Sequence, residues 1–259
     1  VFALKCETDF VAKNQGFVDL TKAILKLALD NKVKTAEELG KLPMDGLTVA
    51  DKIVEEVGKT GEKMEIGAYE TIEAPTVAFY NHFGNKLAVI VGFNQADVNY
   101  EVGHDVAMQI ASMNPMAVDR NSVPQETIDT ELKVAIEKTK EEQVKKAVEA
   151  ALKKAGLNPN LLDSEAHIES NIAKGWLTEE EAEKGRKIAA ETAAAKAANL
   201  PEQMIQNIAQ GRLNKFFKES TLMEQEFVKD GKLTIGQYLE QSSKGLAAVD
   251  FKRVNLNED

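Results

Sequence analysis

Cysteine is almost absent from this 259-residue chain. Cys6 stands alone, which excludes an internal disulfide and fits a reducing, cytoplasmic setting. Histidine is nearly as scarce. His82, His104 and His167 lie far apart, no two at helical i, i+4 spacing and none beside a Cys, so no metal site is expected. No apolar run approaches the roughly 18 residues that would span a bilayer, and no charged-then-apolar leader opens the chain. Basic residues are outnumbered, 32 Lys and Arg against 42 Asp and Glu, for a net charge of −10. A direct grip on nucleic acid needs clustered Lys and Arg to displace counterions, so that class is set aside.

Catalytic patterns are missing too. There is no Gly-x-Ser-x-Gly, no Gly-rich dinucleotide loop and no distinctive carboxylate pair. Gly58-Lys59-Thr60 imitates a phosphate loop, but Ile53 stands where that loop needs Gly, and a helix precedes it instead of a strand. Cys6 could act as a nucleophile only with a His beside it, and its strand register turns it toward a core. The expectation is a protein without an active site, cofactor or metal, and with no membrane partner.

What is present is an ordinary globular composition, 43% apolar and 29% charged, enough for one large domain or two to three small subdomains. Val1-Phe2-Ala3-Leu4 reads as the end of a buried strand, and Phe17, Leu20, Ile24, Leu27 and Ala28 as a helical stripe. Thr8-Asp9-Phe10 therefore falls on a strand-to-helix corner. Two readings stand there: Phe10 in a core with Thr8 or Asp9 as a helix cap, or Phe10 aimed away from its own core. Thr35 with Glu38 forms a capping box, and Thr48 with Asp51 opens a further helix. Strands are expected over Met64–Glu73, Thr76–Tyr80 and Lys86–Phe93, the last two joined by a Gly84-Asn85 turn and sharing a sheet with the opening strand. Val98, Val102, Val106 and Ile110 mark a helix that stops at Asn114-Pro115.

From Val123-Pro124 the composition shifts. Ile128, Leu132, Ile136, Val144, Val148 and Leu152 form a narrow stripe on a long helix flanked by Glu–Lys pairs four apart, among them Glu142–Lys146. After Gly156 come the stretch Ser164–Lys174, a second capping box at Thr178 and Glu181, and an Ala-rich helix. Narrow stripes pair helices more readily than they fill cores, so 126–200 is expected as a protruding helical hairpin, with Trp176 as a packing anchor at its tip. Beyond it a helix through Met204–Phe217, an extended stretch Leu222–Val228, a helix capped by Thr234 and Gln237, and a strand Val249–Val254 complete the chain. The expected fold is α+β: two small subdomains, each an antiparallel sheet packed with helices, with the hairpin inserted in the second. The expected boundaries are 1–115, then 116–125 with 201–259, and 126–200 for the insertion.

Three separated segments carry a family resemblance. Cys6-Glu7-Thr8-Asp9-Phe10-Val11-Ala12-Lys13-Asn14, with Gly16-Phe17 following, resembles the signature of the elongation factor Ts family, the bacterial nucleotide-exchange factors for elongation factor Tu. Asp105–Ala111 with Met113-Asn114-Pro115 resembles a second family segment, and Gly211–Glu219 with Glu224–Asp230 a third, in the same order and spacing. The likeness extends to about Val254 and is weakest across 157–200. It implies a non-enzymatic exchange factor whose Asp9 and Phe10, with Thr8 and Val11 of the same motif, intrude near the Mg²⁺ and nucleotide site of the GTPase. Asp9 would either aim Phe10 or disturb the Mg²⁺ shell, and aiming is favoured because a carboxylate attracts Mg²⁺. Gln109 stands where family members often carry a His thought to approach the partner's phosphate-binding loop. His82 and Leu87 on the hairpin are further contacts, His82 equally readable as a turn residue. Members carry a small helical domain ahead of this region, and a chain opening on Val1 is expected to be a piece of a longer protein. A rival reading is an adaptor that forms a homodimer through 126–200, and a third is a thiol enzyme using Cys6.

Overall fold

In the computed structural model, which describes residues 1–258, most helices begin where the sequence supplies a side-chain acceptor for the first free backbone N–H groups. After β1 (Phe2–Lys5), Thr8 caps the single turn α1 (Asp9–Ala12) and Asn14 caps α2 (Gln15–Asn31). Thr35 caps α3 (Ala36–Lys41), although Glu38 accepts from the Lys34 N–H and so leaves the expected box half formed. The short hairpin β2 (Pro43–Met44) and β3 (Leu47–Thr48) leads to α4 (Val49–Thr60), opened by a reciprocal Thr48–Asp51 box. β4 (Glu65–Tyr69), β5 (Thr76–Asn81), β6 (Leu87–Phe93) and α5 (Tyr100–Met113) follow. Then come the helices α6 (Gln125–Lys154), α7 (Glu165–Ala173), α8 (Glu179–Ala198) and α9 (Glu202–Ser220). The chain ends with β7 (Glu226–Phe227), β8 (Asp230–Thr234), α10 (Ile235–Ser242) and β9 (Ala248–Asn255). The stretch expected to be extended from Leu222 instead makes a 3₁₀ turn over Leu222–Glu224 before β7.

Contacts divide the chain into two units, Val1–Ser122 with the chain from Lys218 onward, and Val123–Phe217. The first unit is α+β, as expected, and holds two cores. One gathers Phe2 and Leu4 of β1, Phe17 and Ile24 of α2, Leu39 of α3, and Ile53 of α4. The other sets Val89, Val91 and Phe93 of β6 against Val106 and Ile110 of α5, with Leu222, Phe227, Ile235 and Leu239. Strand pairing departs from the sequence reading in two places. β1 pairs antiparallel with β4, not with the β5–β6 hairpin. β9, expected beside the other C-terminal strands, pairs with β6 from Leu87↔Asn255 to Phe93↔Ala248, giving the sheet order β5-β6-β9. The reason lies in β6, whose buried residues make it a central strand with two edges to fill, while one hairpin partner satisfies only one.

The β5–β6 turn forms as its residues demand: Gly84 and Asn85 take φ of 89° and 58°, the left-handed pair that matches strand twist. Gly103 serves a different need. It lets α5 approach β5 so closely that a Cβ there would sit 2.7 Å from the Ala78 Cβ.

In the second unit α6 packs along α8. Ala135, Thr139 and Leu152 are buried on α6, Ala135 beside Leu213 and Phe216 of α9, and Ala182 is buried on α8 with Ile168 and Leu177. Gly185 leaves room on α8 for Leu162, whose Cδ1 would lie 2.7 Å from a Cβ placed there. Glu142 is drawn to Arg212 of α9, at 2.6 Å, rather than to Lys146. Trp176 is not a packing anchor. It is 64% exposed with the Lys174 ammonium 5.0 Å from its ring centroid, and the neighbouring Leu177 takes the buried place.

Gly103→Ala is expected to destabilise the fold by about 1–3 kcal/mol through overpacking, outweighing the roughly 1 kcal/mol of helix propensity that Ala brings. Urea unfolding checks this, and adding Ala78→Gly should recover most of the lost midpoint.

Candidate partner-binding site

The corner after β1 settles which residue caps and which points outward. Thr8 is the cap: its Oγ1 accepts from the Val11 N–H at 3.4 Å. Asp9 therefore sits in the first turn with its carboxylate free for another partner. Val11 packs against the first core, and its neighbour Phe10, about 100° further round a helix, is 89% exposed. The core reading of Phe10 is thereby excluded. An exposed Phe ring is a standing cost in water, and here it is a consequence of anchoring Val11.

Asp9 finds its partner on another element. Its Oδ1 lies 3.2 Å from the Nζ of Lys86, just after the turn at the tip of the β5–β6 hairpin. The ion pair brings α1 and the hairpin tip to one place on the surface. At that tip His82 is exposed, its Nδ1 2.7 Å from the Tyr80 hydroxyl and its N–H donating to the Leu87 carbonyl at 2.8 Å. Leu87 is half-buried against the second core. Phe83, which sequence reasoning passed over, is 98% exposed at the turn. The available signal was an aromatic residue inside a polar turn, where nothing local can cover it.

Gln109 is elsewhere. Fully buried in α5, it donates from Nε2 to the Glu226 carbonyl at 3.0 Å and to Gln225 Oε1 at 3.3 Å, and its Oε1 accepts from the Val228 N–H at 2.9 Å. Its amide is thus wholly engaged in tying α5 to the β7 segment.

Two ionisable groups near the corner are perturbed. The Cys6 thiol is pushed up by burial and then by the charge of Glu62, with the Thr8 carbonyl 3.4 Å from Sγ. A thiol held protonated is a weak nucleophile, which argues against the thiol-enzyme reading. The Glu62 carboxyl is held below the usual range, first by the hydrogen bond from the Thr8 hydroxyl. Among the described residues no three His, Cys, Asp or Glu side chains are grouped to hold a metal, and no helix is long and apolar enough to cross a membrane.

Gln109→Leu should strand the Val228 N–H and the Gln225 amide and cost about 1–3 kcal/mol. Hydrogen exchange at Val228 is expected to rise more than exchange in β1 or α2.

A family model described as Elongation factor TS matches residues 7–155 and 146–258, including the stretch 157–200 where the likeness was expected to be weakest. A protein named elongation factor Ts from Bacteroides thetaiotaomicron is 54% identical over 260 residues, covering 100% of this chain and 78% of the relative. A second of that name, from Bacteroides fragilis, is 52% identical with the same coverage. One from Porphyromonas gingivalis is 42% identical, covering 100% of this chain and 74% of its own length.

Proposed function

The chain belongs to the elongation factor Ts family, and from that premise we propose that it binds elongation factor Tu in the cytoplasm and promotes release of GDP, with Phe10 as the wedge. A GTPase holds its nucleotide through backbone N–H groups around the phosphates and through Mg²⁺. A protein that binds the nucleotide-free state more tightly than the nucleotide-bound state weakens nucleotide binding by the same factor. This linkage requires no catalytic site and no cofactor in the factor itself.

The observation that carries the reading is the ring of Phe10, 89% exposed on a short turn fixed to the body of the protein. A rigidly presented aromatic that fills a pocket is a typical interface anchor. The Asp9–Lys86 pair supports aiming over a charge effect on Mg²⁺, because a carboxylate already engaged by an ammonium offers little net charge to a third party. The hairpin residues His82, Phe83 and Leu87 form the second arm of the same contact. A standard interface covers about 800 Å² per partner, wide enough to take in both arms. Gln109, buried as it is, acts at one remove by holding the segment from Gln225 to Val228.

Release of fluorescent GDP from purified elongation factor Tu tests the proposal. The chain is expected to accelerate release, and Phe10→Ala to cut the acceleration about tenfold or more, the loss typical of a buried anchor. A chain that neither accelerates release nor binds would overturn the reading. Exposed ion pairs contribute at most about 1 kcal/mol, so Lys86→Asp and Asp9→Lys should each lower exchange about two- to fivefold, and the double reversal should recover most of it if aiming is the role. Singles that lose activity with no recovery in the reversal would favour a direct part for the Asp9 charge.

A further inference from the structure

α1 is four residues long, and a helix of one turn has no stability of its own, since the ordering of its backbone outweighs its two i→i−4 hydrogen bonds, from Ala12 to Thr8 and from Lys13 to Asp9. Its pose must be imposed from outside. On its N-terminal side one carboxylate collects three donors: Glu62 accepts from the Glu7 N–H at 3.1 Å, from the Thr8 N–H at 2.9 Å and from the Thr8 hydroxyl. The same hydroxyl oxygen accepts from the Val11 N–H, so Thr8 relays Glu62 into the helical turn itself. The link is reciprocal, because the Glu7 carboxylate accepts from the Lys63 N–H at 3.3 Å. Glu62 follows Gly61, the left-handed residue that ends α4, and lies 54 residues from Thr8.

We propose that Glu62 is a positioning residue for exchange, holding α1 in the pose from which Phe10 meets the GTPase, without itself touching the partner. The inference rests on the exchange reading above. The chemistry is preorganisation: a turn already ordered in the free protein does not have to be ordered on binding, and the saving appears as affinity.

The clamp also predicts a pH signature. The carboxyl of Glu62 is held below its ordinary value chiefly by the Thr8 hydroxyl. Its charged form is the one that accepts all three donors, so its contribution is present above the ordinary value of about 4.3 and is lost as pH falls through the lowered one. The titratable or charged neighbours are Cys6, Glu7 and Asp9 on its partner strand-turn, Lys63 beside it, and Lys86 from the hairpin.

The experiment is a mutant cycle read by affinity for nucleotide-free elongation factor Tu, with a carboxyl NMR titration of the free chain alongside. Glu62→Ala is expected to weaken binding about fivefold, the scale of one net hydrogen bond, and to have no further effect once Phe10→Ala is present. Thr8→Ser should keep wild-type affinity, and Thr8→Val should move the Glu62 titration up toward its ordinary value. Unchanged affinity in Glu62→Ala would overturn the inference, as would an equal loss in the Phe10→Ala background, which would mean contact or general destabilisation. An ordinary Glu62 titration in the wild-type chain would also overturn it. If the wild-type chain does not bind at all, the exchange reading falls and this inference with it, whereas binding with a flat Glu62→Ala response removes this inference alone.

Discussion

A single helical turn bearing an outward Phe can exist only if other parts of the chain hold it, and the first core is built to do so. β1 delivers the chain to the corner, Val11 ties the turn to the core beneath, Glu62 seizes its backbone from one side and Lys86 its first carboxylate from the other. Each tie is weak at an exposed site. Together they act on one rigid turn of four residues, so little freedom is left for any of them to be lost separately. The exposure of Phe10 follows from this arrangement and not from local disorder.

The second core solves a different problem, the meeting of segments more than a hundred residues apart. Gln109 and Gln225 lie in its interior, 116 residues apart, with their amides satisfied by each other and by the backbone of 219–228. Buried amides are costly when unpaired, so the network fits only one register of α5 against the β7 segment. An apolar pair in the same place would pack but would not distinguish neighbouring registers. The position that family resemblance marked for partner contact is thus occupied by a side chain engaged in tertiary structure, with the backbone of Glu226 and Val228 as its nearest reach to the surface.

Much of the local architecture was legible. Thr48 with Asp51, Thr178 with Glu181 and Thr234 with Gln237 form reciprocal boxes where their spacing says they should. Gly84-Asn85 turns the hairpin, and the α+β class follows from helical and alternating patterns along the chain. The motif around Thr8-Asp9-Phe10 carries the family likeness in its letters alone. Other features were not legible. The readings of Phe10 as core or surface, and of Thr8 or Asp9 as cap, were both consistent with the same letters. Trp176 reads as a packing anchor at the hairpin tip, yet Leu177 beside it is the residue that the small cluster with Ile168 and Ala182 accepts. Phe83 carries only the weak signal of an aromatic ring inside a polar turn, and its exposure is visible in the fold.

The division follows the reach of the interactions. Caps, turns and helical stripes are decided within three or four residues, a span over which the chain has few alternatives, and these the sequence by itself determined. The partner of β1, the place of β9 beside β6, the 54-residue reach from Glu62 to Thr8 and the ion pair from Asp9 to Lys86 join segments whose spacing carries no periodic signal. Those were decided only by the tertiary structure, because each depends on how the packed cores bring distant segments together.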